Sequence, residues 1–156
     1  MKGITIAEQC HVVNGIEPVD IGGVAKVTDY WSMEKYAHAT IIVQLGAVTN
    51  APTITVFESD DLAGSNEAAI VFAYYAEVTA DGDILTVRTA ATTAGYTFPA
   101  TTNNVMLVIE VDASQLSEGY PCMCVKTDTA AACLVSAAVI LSGARYKSEI
   151  TPTAIA

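Results

Sequence analysis

AHATIIVQL, residues 37 to 45, decides the fold class. Its odd positions, Ala37, Ala39, Ile41, Val43 and Leu45, are all apolar, whereas the even positions His38, Thr40 and Gln44 are polar, with Ile42 the exception. Successive side chains of a strand point to opposite faces, so this alternation reads as a strand with one face in a core and the other partly wet. Working outward, TITVFE (53–58), DILTVR (83–88) and VMLVIEV (105–111) repeat the period. In the last of these the second face, Met106, Val108 and Glu110, is nearly as apolar as the first, which predicts a central strand covered on both sides. Cys122 to Lys126 is a shorter candidate. Cys133 to Leu141 alternates again, and its Val and Ile content favours sheet over a buried helix.

Turn residues separate these segments: Asn14-Gly15, Gly22-Gly23, Pro52, Asp81-Gly82-Asp83, Phe98-Pro99 and Gly119-Tyr120-Pro121. Short strands between frequent turns predict an all-β sandwich or barrel. Residues 80–83 read as a hairpin joining a strand at 72–78 to one at 84–89. Helix signals are confined to single turns near 32–35, 60–69 and 112–116, the first with Ser32 as cap. Nothing divides the chain into two globular units. Residues 1–20 are expected as an extended N-terminal arm, with Pro18 disfavouring helix in GIEPVD, and residues 21–156 as the sandwich.

Composition narrows the function classes. The chain has 156 residues, enough for one good core, yet only 15% are charged and 52% are hydrophobic. Soluble domains carry about 25% charged residues, so a chain this poor in charge is expected to bury surface against copies of itself or a larger body. Seventeen acidic residues face seven basic ones, for a net charge of -10. Affinity for nucleic acid rests on neutralising phosphates, so nucleic acid is not an expected partner, and neither is an anionic membrane. MKGITIAEQC lacks the apolar core of a secretory signal, and the uncharged run from Thr129 to Ala144 falls short of the ~20 strongly apolar residues of a spanning helix. Synthesis in the cytoplasm with reduced cysteines is the expectation for Cys10, Cys122, Cys124 and Cys133.

Catalytic frames are missing. His38 and His11 stand in no nucleophile or metal motif, and the strand neighbours of His38 are not acidic. The cysteines lack the paired C-x₂₋₄-C spacing of zinc sites. Glu58, Asp60 and Asp61, or Asp81 and Asp83, offer oxygens for calcium without the spacing of a calcium loop. No cofactor and no enzymatic activity are expected. The aromatic group Tyr30, Trp31 and Tyr36 is the candidate interface or sugar-stacking surface. Ile16, Pro18 and Val19 of the arm are candidate contacts to a partner.

Asp29-Tyr30-Trp31-Ser32-Met33, followed by HATIIVQLGAV (38–48), TITVFES (53–59) and LVSAAVILSGARY (134–146), resembles the small virion structural proteins of tailed bacteriophages that decorate or cement the head. The resemblance covers about half the chain, in pieces and without a diagnostic motif. It implies an antiparallel, jelly-roll-like β-sandwich that binds the major capsid protein in the assembled shell, commonly as a homotrimer, and resides in the virion. Two other readings use the same residues. A carbohydrate-binding sandwich would stack sugars on Trp31, and a tail-tube subunit would assemble into rings.

Overall fold

The computed structural model describes residues 3, 5–100, 102–128, 132–144 and 153–155. Residues 1, 2 and 4 of the expected arm, the first residues of the uncharged run at Thr129, and Arg145 and Tyr146 lie outside that set.

The alternating stretch is the middle of β3 (His38–Asn50), and its odd residues, Ala39 to Leu45, are buried as parity requires. β3 lies between β11 (Ala132–Ser142) and β9 (Val105–Asp112), antiparallel to both, with Ile41 opposite Val139 on one side and Ile109 on the other. β1 (His11–Asp20), β6 (Phe72–Ala76) and β7 (Thr89–Ala91) complete a six-stranded sheet in the order β1-β11-β3-β9-β6-β7. The second sheet runs β2 (Trp31–Ser32), β10 (Cys122–Thr127), β4 (Thr53–Ser59) and β5 (Glu67–Ala69), with β8 (Tyr96–Thr97) on β4. From β3 onward the chain passes repeatedly between the two sheets, and the protein is an all-β sandwich of two antiparallel layers.

The core lies between the layers. Ile41, Val43, Leu107, Ile109, Val139 and Leu141 project from the large sheet against Trp31, Ile54, Val56, Met123 and Val125 from the small one. Fully burying each such aliphatic side chain contributes roughly 1.5–3 kcal/mol. Tyr74, Tyr96 and Phe98 close the core under β8, with ring centroids 4.6 and 5.1 Å apart.

Several expectations change. Residues 11–20 are extended, but they do not stand apart as an arm. They form edge strand β1, because Val13 and Ile16 bury against the core when β1 pairs with β11. Asn14-Gly15 is no turn; it marks a bulge within β1, where a Cβ on Gly15 would sit 3.0 Å from the Ala137 carbonyl oxygen and 3.1 Å from Thr28. The 83–88 segment is no strand either. It touches β6 through one bridge, Glu77 to Leu85, and pairing resumes at Thr89. The strand at 72–76 therefore pairs with Thr89–Ala91 through a long connection over 77–88, in place of the expected hairpin turning at 80–83.

Of the single helical turns expected, 32–35 holds the end of β2 and a turn, 60–69 holds turns and bends followed by β5, and Ala113–Gln115 is a 3₁₀ turn carrying a capping box from Asp112 and Gln115. Ile6–Gln9 adds one α-helical turn that sequence patterning missed. Finally, β9 is central, yet among the described residues its outer face has no second layer. Met106 and Val108 are half-buried only by their neighbours in the sheet.

Candidate functional site

Parity that buries one face of the large sheet builds the other. Register aligns the outward residues in rows. Val12, Ile140, Thr40, Glu110 and Ala73 form one, and Asn14, Ala138, Ile42, Val108 and Tyr75 form the next. Ser136, Gln44 and Met106 form a third. The middle of this face is an apolar band, from Val12 and Ile140 through Ile42 and Val108 to Tyr75, and most of it is half-exposed. Flat, open and weakly charged, it resembles a contact surface far more than a catalytic cleft. At one end, where Gly46 contributes no side chain, a shallow groove of about 430 Å³ opens between Pro18, Val19, Met106 and Leu134.

At the opposite end His38 bridges two carboxylates. Its Nδ1 lies 2.7 Å from Asp112 Oδ1 and its Nε2 lies 2.5 Å from Glu110 Oε2, which also accepts a bond from Thr40 Oγ1 at 2.7 Å. The strand neighbours of His38 are not acidic, but β9 supplies two acids directly and diagonally across the ladder. An ionised carboxylate only accepts, so two of them on the two ring nitrogens favour the doubly protonated, cationic imidazole. Partial burial pulls the His38 pKa down, but the hydrogen bonds and charges of Asp112 and Glu110 outweigh it and raise the value above 6.5.

Because the folded pKa is the higher one, the stabilisation is fully present below about pH 6.5, until the carboxylates themselves protonate, and is lost as pH rises through the folded value. For a solvated pair the effect is small, under about 1 kcal/mol. Thermal melts from pH 5.5 to 8.5 should lose stability with rising pH, and His38→Gln should flatten that slope. Equal slopes in both proteins would exclude the clasp.

A second cluster lies on the small sheet. Glu67 accepts from the Tyr30 hydroxyl and pairs with Lys126, whose ammonium sits 4.3 Å from the centroid of Phe57. The bonds from Lys126 and Tyr30 hold the Glu67 carboxyl below its ordinary range. Burial, with Cys124 and Glu67 alongside, pushes the Tyr30 hydroxyl up. Cys122 and Cys124 share one face of β10 as expected, and both are buried. Desolvation pushes the Cys124 and Cys133 thiols up to about 11, so they are poor nucleophiles.

The acidic loop at 58–61 is satisfied internally. Asp60 holds Asn66, and the backbone and side chain of Ser65 bond to Asp61 and keep its carboxyl below the usual range. Glu58 is buried and accepts from the Ser117 amide and hydroxyl. Among the described residues no group of three His, Cys, Asp or Glu converges to hold a metal ion.

The residues singled out from sequence scatter. Trp31 is 0% exposed, Tyr36 3% and Ile16 6%, so these three are core rather than surface. Trp31 turns inward on the two-residue strand β2, too short for alternation to be read from sequence, Tyr36 lies in the connection between β2 and β3, and Ile16 follows the first bulge of β1. Tyr30 and Val19 are half-buried, and Pro18 is exposed beside the groove. Only Pro18 and Val19 border the open face. Ile42, Val108, Ile140 and Tyr75 were missed as surface residues, although the apolar second face of VMLVIEV was a signal for Val108 and the apolar Ile42 among polar even positions was one for β3.

No family model, curated protein or solved structure matches this chain. The functional reading therefore rests on the geometry of the face and the residue pattern alone.

Proposed function

We propose that this protein is a virion structural protein of the capsid-decoration type, without enzymatic activity, which lays the outer face of its large sheet across neighbouring subunits of an assembled phage shell. The supporting observation is the in-register apolar band of Ile140, Ile42, Val108 and Tyr75, left open on a chain with few charges to solvate it. An open sheet face with a continuous apolar band suits a repetitive shell. Repeated weak contacts to one shell add up through multivalency, and binding stabilises the assembled form by mass action. The jelly-roll form of the sandwich, the homotrimer and the virion location belong to the same proposal.

Co-sedimentation with assembled tailed-phage shells tests it. The protein should pellet with the shells saturably, and Ile42→Glu or Val108→Glu should weaken binding at least tenfold while leaving circular dichroism unchanged. Absence of binding to any shell, or full binding by both variants, would overturn the assignment. Tubes in electron micrographs of the purified protein would favour a tail-tube subunit instead. The carbohydrate reading loses its main support, because Trp31 is inside the sandwich and offers no ring to a sugar.

A further inference from the structure

The groove at the Gly46 end of the large sheet contains a buried acid that the fold leaves unpaired. Register extends the third outward row, Ser136, Gln44 and Met106, by one more residue. Ala76 lies opposite Leu107, and the Glu77 amide donates to the Met106 carbonyl at 2.8 Å. Glu77 therefore projects outward, yet it is only 4% exposed. The turn that follows β6 covers it. The Asp81 amide donates to the Asn104 carbonyl and the Gly82 amide to the Thr79 carbonyl, both at 3.1 Å, which holds the turn beside the carboxylate. A Cβ on Gly82 would sit 3.1 Å from Glu77 Oε1.

Among the described residues no hydrogen bond and no ion pair reaches the Glu77 carboxylate, and Arg88, at the far end of the β6–β7 connection, is not paired with it. Glu58 is buried to the same degree but accepts both the amide and the hydroxyl of Ser117. Glu77 instead lines the groove, and no residue lining the groove is basic. A buried acid without hydrogen bonds or a counter-charge costs free energy, and a cation delivered through the groove would relieve that cost. The walls select the kind of cation. Val19, Met106 and Leu134 are apolar, while Gln44 and Asn104 add amide oxygens. An aliphatic stem ending in a charged head matches this mixture, and about 430 Å³ leaves room for it. A bare metal ion would find a single carboxylate where it needs several oxygens.

We infer that this groove takes a lysine or arginine side chain of a protein partner, its stem against Met106 and Leu134 and its head on the Glu77 carboxylate. The groove continues the third row of the outer face, so the identity of the partner rests on the decoration reading. On that reading the side chain belongs to a shell subunit, and the net charge of -10 steers a basic surface towards it. The cation site itself needs no shell.

NMR titration of the purified protein with n-butylguanidinium and n-butylammonium, the two heads on a short stem, tests the site. Each should shift the amides of Glu77, Gly82 and Met106 saturably. n-Butanol, which has the stem without the charge, should bind about tenfold more weakly, as expected for loss of a charged hydrogen bond. Glu77→Gln should bring both cations down to the n-butanol level with unchanged circular dichroism. The comparison of ligands on the wild type stands even where the variant fails to fold. Pelleting with shells should weaken about tenfold in Glu77→Gln, by the same loss, and n-butylguanidinium should compete with it. n-Butanol binding as strongly as the cations, or cation shifts retained in Glu77→Gln, would overturn the site. A wild-type dimer in light scattering that Glu77→Gln splits would make a second copy the occupant and overturn the assignment to a partner. Cation binding by a protein that no shell captures would keep the site and remove the decoration reading. Shell binding unchanged in a folded Glu77→Gln would remove the inserted side chain and leave the decoration reading standing.

Discussion

Trp31→Ala is expected to cost about 3–5 kcal/mol, the range for truncating a buried aromatic side chain to alanine. Domains of this kind have only ~5–15 kcal/mol of total stability, so the variant should melt about 6–20 °C below wild type. The reason lies in position. Trp31 is fully buried in β2, opposite Met123 of β10, and the amide of the next residue, Ser32, donates to the Ala154 carbonyl at 2.9 Å. Its loss would open a cavity between the sheets where β2 and the 153–155 segment meet.

Trp31→Phe separates volume from polarity. The indole Nε1 is buried without a hydrogen-bond partner, and an unsatisfied buried donor costs about 1–3 kcal/mol. Phenylalanine removes that donor while keeping most of the ring, so its cost should be well below that of alanine. Calorimetry or urea melts of the pair decide the matter. A surface tryptophan would show two small, similar effects. Trp31→Phe should also leave shell binding intact, because the side chain faces the core and not the partner.

What could be read in advance follows from how local the signal is. Alternation over 37–45 and 105–111 gave two strands and their core faces, except that Ala37 is exposed just before β3, because burial of one face is imprinted on every second residue. Register between strands leaves no such imprint. Glu110 and Asp112 meet His38 only because β3 pairs with β9 in one particular alignment, and no spacing along the chain announces it. β1 was missed for a different reason. Its bulges break the period at Asn14 and again before Val19, so Val13 and Ile16 fall out of alternation although both are buried. The exposed Leu85 and Val87 misled in the opposite direction, since an apolar alternation normally belongs to a core. Here the pattern belongs to the β6–β7 connection, where a single bridge from Leu85 to Glu77 is the pairing and Val87 is left exposed.

Gly95→Ala is the second large effect, and comparison with Gly119→Ala explains its origin. Both glycines hold φ at +85°, a conformation costing a residue with a Cβ about 1–3 kcal/mol. A Cβ on Gly119 would meet nothing within 4 Å, so that substitution should carry the conformational cost alone. At Gly95 the added carbon would collide with the Ile54 carbonyl and lie 2.7 Å from Thr55 Cγ2. The collision cannot be relieved by a side-chain rotation, because the obstacle is the backbone of β4 where Ile54 pairs with Tyr96 of β8. Overpacking adds about 1–3 kcal/mol more, for a total of roughly 2–6 kcal/mol. Melts of the two variants should differ by that second increment. Near-equal losses would mean that β8 shifts freely against β4, and the Tyr74–Tyr96–Phe98 cluster would then have to move with it.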